Sequence, residues 1–161
     1  SQGSGIPDLY GKHLGPNESD IINPGVGVLL NSSELSYGGV SLETSAQGSA
    51  ILVWSYSSGA NQGDLFAQRI DQNCNTLWST PEQGGIPIYE GLGVQESPRV
   101  TYYDENYSII VWEDDQSGDD DIYAHFINMD GTLVYTNPIA VSTTVDRQYK
   151  PRVKANNSLF L

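Results

Sequence analysis

The side chains best suited to binding a metal ion form one acidic segment. Six carboxylates fall within the nine residues Glu113–Asp121. Carboxylate oxygens are preferred ligands of Ca²⁺, and flexible Asp-rich loops suit its variable coordination. The segment is therefore a candidate calcium site, with ligands from Asp114, Asp115, Asp119 and Asp120. The alternative is a solvated acidic loop, which is favoured because the spacing is not that of an EF-hand and the corresponding loops carry almost no acid.

Composition and charge limit the partners of the chain. The 161 residues include 7 Lys and Arg against 20 Asp and Glu, a formal net charge of -13. This balance argues against nucleic acid or an anionic membrane as a partner, because both require a basic face. No apolar run is long enough to cross a bilayer, and the N-terminal residues lack a signal-peptide pattern, so we expect any such segment to have been removed or to lie elsewhere. The single cysteine, Cys74, excludes an internal disulfide and is expected to be a free thiol.

The candidate residues must be positioned by a repeat, because several motifs recur in one order. Similar segments begin at Asp8, Asp64 and Asp121, at nearly equal intervals along the chain. Apolar runs that end at Trp54 and Trp112 precede the last two segments and are separated by a similar interval. Self-similarity at a fixed period indicates a repeat architecture.

Each repeat is predicted to contain four short strands, A to D. Strand B is continuously apolar, which is typical of a strand buried on both faces. Strand C begins at the repeated Asp and alternates, so His125 is expected to face away from the core. Strand D is predicted at Thr76–Trp78 and Thr132–Tyr135. No segment has helical periodicity with a cap and a stop, so the predicted class is all-β.

A period of this length, with four strands in each unit, is the signature of β-propeller blades. The turn after strand C adds to this, because Asp71-x-Asn73-x-Asn75-x-x-Trp78 has the spacing of the Asp-box hairpin of sialidase-like propellers. In such a turn, side-chain oxygens bind backbone N–H groups and the aromatic ring packs beneath the hairpin. We predict propeller-type four-stranded antiparallel blades, in about three repeats of roughly 56 residues, with the chain cut in mid-blade.

The motif set PRV…SIIVWEDDQSGDDDIYAHFINMDGTLVY resembles a repeat of bacterial cell-surface and secreted propeller proteins, among them adhesin-like proteins associated with type IX secretion. The resemblance covers nearly the whole chain in three copies. Because no residue set is unique to one repeat, we expect a non-enzymatic structural or interaction module of a large extracellular or cell-surface protein, acting in adhesion or surface assembly. The expected partners are proteins or glycans, and no cofactor is expected other than the possible Ca²⁺. Because such repeats serve many roles, the resemblance is specific for architecture rather than activity.

A glycan-active hydrolase of the sialidase-like type is the alternative from the enzyme class. Arg99 and Arg152 each follow a proline at the same place in a repeat and resemble two members of a sialidase arginine triad. A hydrogen bond or salt bridge to a neighbouring element is the better-supported explanation. No serine-hydrolase elbow, zinc-protease helix motif or phosphate loop is present.

The repeat divides the chain into a partial blade at 1–37 with strands C and D, blades at 38–88 and 98–141, and the start of another blade at 151–161. We expect a fragment of a longer propeller, whose partners include further blades of the same parent chain. The alternative is an isolated fragment that associates with itself, in which strands C and D of one end pair with strands A and B of the other in a domain-swapped ring.

Residues that recur once per repeat are expected to stabilise structure, because a catalytic group is needed only once. The aspartates should accept backbone N–H bonds from the preceding loop, and the tryptophans should pack between blades or under a hairpin. These structural residues are Asp8, Asp64, Asp121, Trp54, Trp112 and Trp78.

A ligand is expected where the long loops lie. The B–C and D–A loops share one end of an antiparallel blade, and they are longer and more dissimilar than the turns at the other end. Long loops on a rigid scaffold are where binding usually resides. The predicted exposed contacts are Tyr56, Tyr89, Arg147 and Tyr149.

Overall fold

The described part of the protein consists of strands and turns. The computed structural model describes residues 9–12, 28–31, 36–45, 47–57, 62–78, 84–155 and 159–160. Asp8, the first of the repeated aspartates, lies outside these residues. They contain no helix, which confirms the all-β prediction, and hence no helix long and apolar enough to cross a membrane.

Twelve strands follow one another within the described residues. They are β1 (Leu9–Gly11), β2 (Val28–Asn31), β3 (Ser36–Thr44), β4 (Ala50–Ser57), β5 (Gln62–Ile70), β6 (Ile86–Tyr89), β7 (Gln95–Tyr102), β8 (Tyr107–Asp114), β9 (Asp121–Asn128), β10 (Ile139–Ser142), β11 (Lys154–Ala155) and β12 (Leu159–Phe160).

Two four-stranded antiparallel sheets form the centre of the fold. Sheet 1 has the order β3-β4-β5-β6 and sheet 2 has the order β7-β8-β9-β10, so each is a meander of consecutive strands. The pairs β1-β2 and β11-β12 form two further sheets. The four sheets agree with the predicted order of strands A to D. Among the described strands the sheets stay separate, and no sheet closes on itself.

Strand D lies later in the chain than predicted. Thr76 and Leu133, in the segments predicted as strand D, form only isolated bridges to strand C. The fourth strands are β6 and β10, which pair with β5 and β9. The predicted segments follow tight turns in which Asp71 and Asp130 accept backbone N–H bonds. After each turn the chain therefore makes one bridge to the end of strand C. Only further along does it pair with strand C as the fourth strand of the sheet.

Strand β4 has both faces buried because a neighbour covers each side of sheet 1. Ile51 and Val53 share a core cluster with residues of sheet 2. Leu52 and Trp54 point the opposite way and share a cluster with Leu30 of β2. This two-sided burial explains why strand B carries no polar alternation.

Strand β8 repeats this arrangement in the same phase. Ile110 and Trp112 pack toward sheet 1. Ile109 and Val111 face the other way, in a cluster that Val153 joins from the segment leading into β11. Each strand-B tryptophan therefore faces the preceding sheet, and the fully buried Trp112 lies 5.8 Å from the ring of Tyr89 in sheet 1. The repeat in the sequence is thus also a repeat in the packing.

Polar contacts join the two large sheets where the turns meet. The Nε1–H of Trp78 donates to the carbonyl oxygen of Met129, in the turn after β9, at 2.9 Å, and Arg69 donates to the same oxygen at 3.1 Å. The amide of Gln68 holds the loop after β5, because it accepts from the N–H of Trp78 at 3.1 Å and donates to the carbonyl of Gly84 at 3.0 Å. These bonds join Trp78 and Gly84, on either side of residues 79–83, to strand β5.

His125 differs from its prediction. It was expected to face away from the core, but its side chain is buried on the face of β9 that carries Tyr123. Alternation predicts an exposed face only when one side of a sheet meets solvent, and strand C here has neighbours on both sides. The same burial lowers the pKa of His125.

Replacing Trp112 by Ala should destabilise the protein strongly. Trp112 is fully buried between the sheets, and large-to-small changes of an aromatic core residue cost about 3–5 kcal/mol. Urea denaturation followed by circular dichroism would measure the loss. Val145→Ala is the control, because Val145 is 92% exposed and its truncation should change stability by less than about 0.5 kcal/mol. Equal effects of the two substitutions would contradict the two-sided packing.

Candidate functional site

The long loops that the structure describes meet at one end of the molecule, where the sequence analysis places a ligand surface. The B–C loop of sheet 2 covers residues 115–120, and the D–A loop that follows β10 covers residues 143–153. The N–H of Gln148 donates to the carbonyl of Asp120 at 2.7 Å and ties the two loops together. The D–A loop of sheet 1 reaches the same B–C loop, since the backbone N–H of Val94 donates to Asp115 at 2.6 Å. At the end of β6, the hydroxyl of Tyr89 donates to the side chain of Gln116 at 3.1 Å.

Three carboxylates of the acidic segment bind three different neighbours. Glu113 is buried and accepts the backbone N–H of Lys150 at 2.6 Å. Asp115 accepts the backbone N–H of Val94 at 2.6 Å. Asp120 forms an ion pair with Arg147, which raises the pKa of that guanidinium further. Asp115 and Asp120 therefore connect the B–C loop to the two D–A loops, and Glu113 connects the end of β8 to the second of them.

Asp114 and Asp121 are buried opposite each other on β8 and β9. Asp114 accepts the backbone N–H of Gln116 at 3.0 Å and the Nε1–H of Trp112 at 3.3 Å. Asp121 accepts the hydroxyl of Ser117 at 2.7 Å, a side-chain donor where a backbone N–H was expected. Like charges directly opposite on a sheet repel each other. Burial raises the pKa of Asp114, and the charge of the neighbouring Asp115 adds to this.

The four acids considered as calcium ligands are not brought together. Asp114, Asp115 and Asp120 bind different partners, and Asp119 is exposed. In the part of the chain that the structure describes, no group of three or more acidic, histidine or cysteine side chains is arranged to hold a metal ion. Of the four, Asp115 and Asp120 join loops, and Asp114 binds residues next to it in the chain.

A recess of about 300 Å³ lies between these loops. Its lining residues are Ser97, Glu113, Arg147, Tyr149 and Lys150. Arg147 and Tyr149 were predicted from the sequence. The Tyr149 ring is 62% exposed, and the Lys150 ammonium lies 5.7 Å from its centroid. The mouth of the recess thus combines cations and an aromatic ring, above the buried carboxylate of Glu113.

Ser97 and Lys150 were missed, although the sequence carries a signal for them. Each directly precedes a Pro-Arg-Val triplet, and each has a positive φ, 53° and 57°. A left-handed backbone is unusual for a residue with a side chain, and a following proline restricts it further. For Lys150, the bond from its N–H to Glu113 holds this conformation. The triplet therefore marks a fixed bend at the edge of the recess.

Two of the predicted ligand contacts lie elsewhere. Tyr56 is buried, because β4 runs on to Ser57, and its ring packs edge-on against Phe66 at 5.5 Å. The prediction of Tyr56 as an exposed contact is therefore wrong. Tyr89 is half-buried against Trp112. Its hydroxyl is committed to Gln116, so it supports the loops from below.

The structural residues occupy the positions that a repeat requires. Asp64 and Asp121 are both buried at the start of strand C. Trp54 is buried against Phe66 at a ring distance of 6.4 Å, in the cluster that Leu30 joins from the preceding sheet. Trp78 is buried in the cluster shared by the two large sheets.

The turn after β5 has the geometry expected of an Asp box. Asp71 accepts the backbone N–H groups of Asn73 and Asn75 at 2.8 and 2.9 Å, and the Asn75 amide at 2.9 Å. These bonds lower the pKa of Asp71. Cys74 in this turn is buried, forms no disulfide and has a positive φ of 62°. The motif therefore shapes the turn.

A second and larger recess lies at this turn end, opposite the long loops. It has a volume of about 440 Å³ and largely apolar walls that include Leu42, Ala50 and Ile70, with Lys12 and Asp71 among its polar lining residues. The sequence analysis predicted a ligand surface only at the end with the long loops and did not predict this recess. Its signal in the sequence is weak, because its walls come from several strands.

The described arginines bind separate partners. Arg99 donates to the carbonyl of Pro98 at 2.7 Å, within its own strand. Arg69 binds Ser49 and Met129, and Arg147 binds Asp120. Arg152 is exposed, and it lines neither recess. Each described arginine thus has its own location and its own neighbours.

Comparisons of the chain with known protein families, with curated proteins and with solved structures found no match. A functional proposal must therefore rest on the residues and geometry of the chain itself.

The wild-type protein should lose stability as the pH rises and the buried Asp114 ionises. Replacing Asp114 by Asn should remove this loss. Because the folded protein raises the pKa of this carboxyl, its stabilising contribution is full below the unfolded pKa and is lost as the pH rises through the folded pKa. The free energy of unfolding of Asp114→Asn, minus that of the wild type, should therefore increase from about pH 4 to about pH 7. Urea denaturation across this pH range measures the difference.

The matched control for this prediction is Asp119→Asn, which makes the same change of charge at an exposed position of the same loop. A pH-dependence equal for the two substitutions would show that burial of Asp114 does not govern its titration.

Proposed function

We propose that the chain is a non-enzymatic interaction module of a large extracellular or cell-surface bacterial protein, acting in adhesion or surface assembly. The observation that carries this proposal is that charged side chains of the chain bind other parts of the same protein. Glu113 and Asp115 at the loop end bind loops of the same protein, and Arg99 and Arg69 bind backbone carbonyls of strands and turns. Such a distribution supports a scaffold that presents a surface.

The proposed architecture is an array of β-propeller blades. Its support is the same-phase packing of two four-stranded antiparallel meanders, together with the proximity of their first strands. The backbone N–H of Val100 in β7 donates to the hydroxyl of Ser41 in β3 at 3.2 Å. Gly39 of β3 also lies so close to Pro98 that an added Cβ would come within 3.3 Å of the proline ring. In a propeller the first strands of all blades line the central channel, so neighbouring first strands approach in this way.

The proposed binding surface is the recess at the loop end. Glu113 in its lining accepts the backbone N–H of Lys150 at 2.6 Å, and Asp115 in the adjacent loop accepts that of Val94 at 2.6 Å, so the loops are fixed before a partner arrives. Tyr149 and Arg147 at its mouth are exposed, and these residue types are enriched among the strongest contacts of protein interfaces. The partner class is a protein or a glycan of a cell surface.

The net charge of -13 restricts the partner further. An acidic surface repels nucleic acid and anionic lipids, and it associates faster with neutral or basic surfaces. No cofactor is part of this proposal. The extracellular location is part of the proposal and rests on the resemblance of the repeat to surface and secreted proteins.

Removing both exposed contacts should weaken binding without affecting the fold. We expect Arg147→Ala combined with Tyr149→Ala to reduce binding of the labelled chain to bacterial cells and to a glycan array by about tenfold or more, since interface contacts of this kind contribute about 1–2 kcal/mol each. Unchanged circular dichroism would show that the fold is intact. Leu77→Ala is the control, because Leu77 is exposed at the opposite end.

Equal binding by the double variant and the control would place the binding surface elsewhere. The enzyme alternative is tested in parallel with a panel of glycoside substrates. Turnover that a single substitution such as Asp114→Asn abolishes would overturn the non-enzymatic proposal.

A further inference from the structure

The two D–A loops carry the most exposed large apolar side chains of the described residues. Leu92, in the loop that follows β6, is 84% exposed, and Val145, in the loop that follows β10, is 92% exposed. Single exposed apolar residues are common on protein surfaces and need no explanation. Leu92 and Val145 differ because they occupy the same place in the repeat. We name these two side chains the apolar tips.

A shared sequence pattern positions both apolar tips. The order apolar-x-x-Gln-x-x-Pro-Arg-Val begins at Leu92 and again at Val145. In the first copy, the amide of Gln95 donates to the carbonyl of Leu92 at 3.1 Å. In the second, Gln148 donates to the hydroxyl of Thr144 at 2.7 Å and accepts the backbone N–H of the same residue at 3.2 Å. Equivalent glutamines therefore hold the loop at the base of each tip.

The loop that carries Leu92 lies directly against sheet 2. Gly93 has a φ of 89°, and an added Cβ would come within 2.5 Å of the Asp115 carboxylate and 2.7 Å of the Gln116 backbone nitrogen. Only glycine fits such an approach at this backbone conformation. Leu92 thus stays exposed although a complete sheet lies beside it, so its exposure is a property of the loop itself.

Both apolar tips contact a partner from one base, because their loops are anchored to the same B–C loop. The loop of Leu92 meets this B–C loop at Asp115 and Gln116. The loop of Val145 meets it at Asp120, whose carbonyl accepts the N–H of Gln148. A single partner is therefore expected to contact both tips.

The free charge beside the apolar tips is negative. Glu90 lies two residues before Leu92, Asp146 directly follows Val145, and both acids are exposed. Among the described residues, neither acid forms an ion pair, whereas Arg147 is paired with Asp120. Complementary charges steer association and exclude wrong partners. The surface therefore fits apolar groups that are accompanied by cations.

We propose that the apolar tips bind a polypeptide that presents apolar side chains flanked by Lys or Arg. The inference rests on the proposed function, because it names the partner of the loop end and selects protein from the two partner classes given there. Aliphatic side chains gain by leaving water for an apolar surface. They offer a glycan neither a hydrogen bond nor an aromatic ring, and the acids beside them repel an anionic bilayer.

Synthetic peptides of defined composition test the proposal, with fluorescence anisotropy measuring their binding to the full chain. One set carries Leu, Ile or Phe next to Lys or Arg. A second set keeps the apolar residues and replaces the cations by Asp or Glu, and a third keeps the cations and replaces the apolar residues by Ser. We expect the first set to bind about tenfold or more tightly than the other two, since it alone matches both the tips and the acids.

Leu92→Ser combined with Val145→Ser removes both apolar tips without changing the charge of the protein. Because both side chains are exposed, the fold should be retained, as circular dichroism would show. We expect the affinity for the first peptide set to fall about tenfold or more, to the level of the third set. Leu77→Ser is the matched control, because Leu77 is exposed at the opposite end and its replacement should leave binding unchanged.

The proposal would be overturned by equal binding of the three peptide sets, by no binding of any set, or by unchanged binding in the double tip variant. A glycan array or phosphatidylcholine vesicles that bind the wild type but not the double tip variant, while the peptides do not bind, would identify a glycan or a lipid surface as the partner instead. Self-association of the wild type that this variant abolishes in light scattering would also overturn it, because a second copy would then occupy the tips.

Binding to bacterial cells distinguishes failure of this inference from failure of the proposed function. If the variant with Arg147→Ala and Tyr149→Ala binds cells more weakly and the double tip variant binds them normally, the tips are not the contact and the recess remains the binding surface. If only the double tip variant binds more weakly, the tips are the contact and the recess is not. Normal binding by both variants would overturn both proposals.

Discussion

The burial of strand B on both faces is the constraint on which the rest of the structure depends. A meander of four short strands has two apolar surfaces, and each must be covered for the sheet to be stable. Ile51 and Trp54 point to opposite neighbours, and so do Ile109 and Trp112. The sheets must therefore follow one another face to face, and the loops at their ends are brought together as a result of that packing.

The acidic segment lies at the loop end that this packing brings together. Carboxylates are accepted at the loop end because backbone N–H groups of adjacent loops point toward them, as Val94 and Lys150 show. Hydrogen bonds between a charged acceptor and a backbone donor are short and strong. They hold the D–A loops at defined positions relative to the B–C loop. A high density of acid here creates order, although in an isolated sequence it indicates a solvated loop.

Much of the fold follows from sequence patterns, whereas the site follows only in part. The repeated Asp and Trp positions predicted the strands and their order, because burial of an entire strand leaves a clear apolar run. Strand D was predicted too early in the chain. The residues that follow the turns at Asp71 and Asp130 resemble a strand in composition, but they belong to the turn region. His125 was assigned to the surface because alternation assumes one solvent-facing side. Tyr56 was assigned there because strand B was expected to end before it, whereas β4 continues to Ser57. Arg147 and Tyr149 were found, since loop length alone indicates where exposed residues gather. Glu113 was not singled out as a loop anchor, because its partner is a backbone group far away in the sequence.

The shared phase of the strand-B tryptophans has a consequence for how such a chain tolerates change. A one-residue insertion in β4 or β8 would turn the side chains beyond it to the opposite face of the sheet and so disrupt the packing with both neighbouring sheets. We therefore expect insertions to occur in loops or as whole repeats. Coupling then runs only between neighbouring sheets, as in a one-dimensional chain of nearest neighbours. Opening is expected to start at the two-stranded sheets and proceed inward. Amide hydrogen exchange would then be slowest in β4 and β8 and would accelerate toward either end.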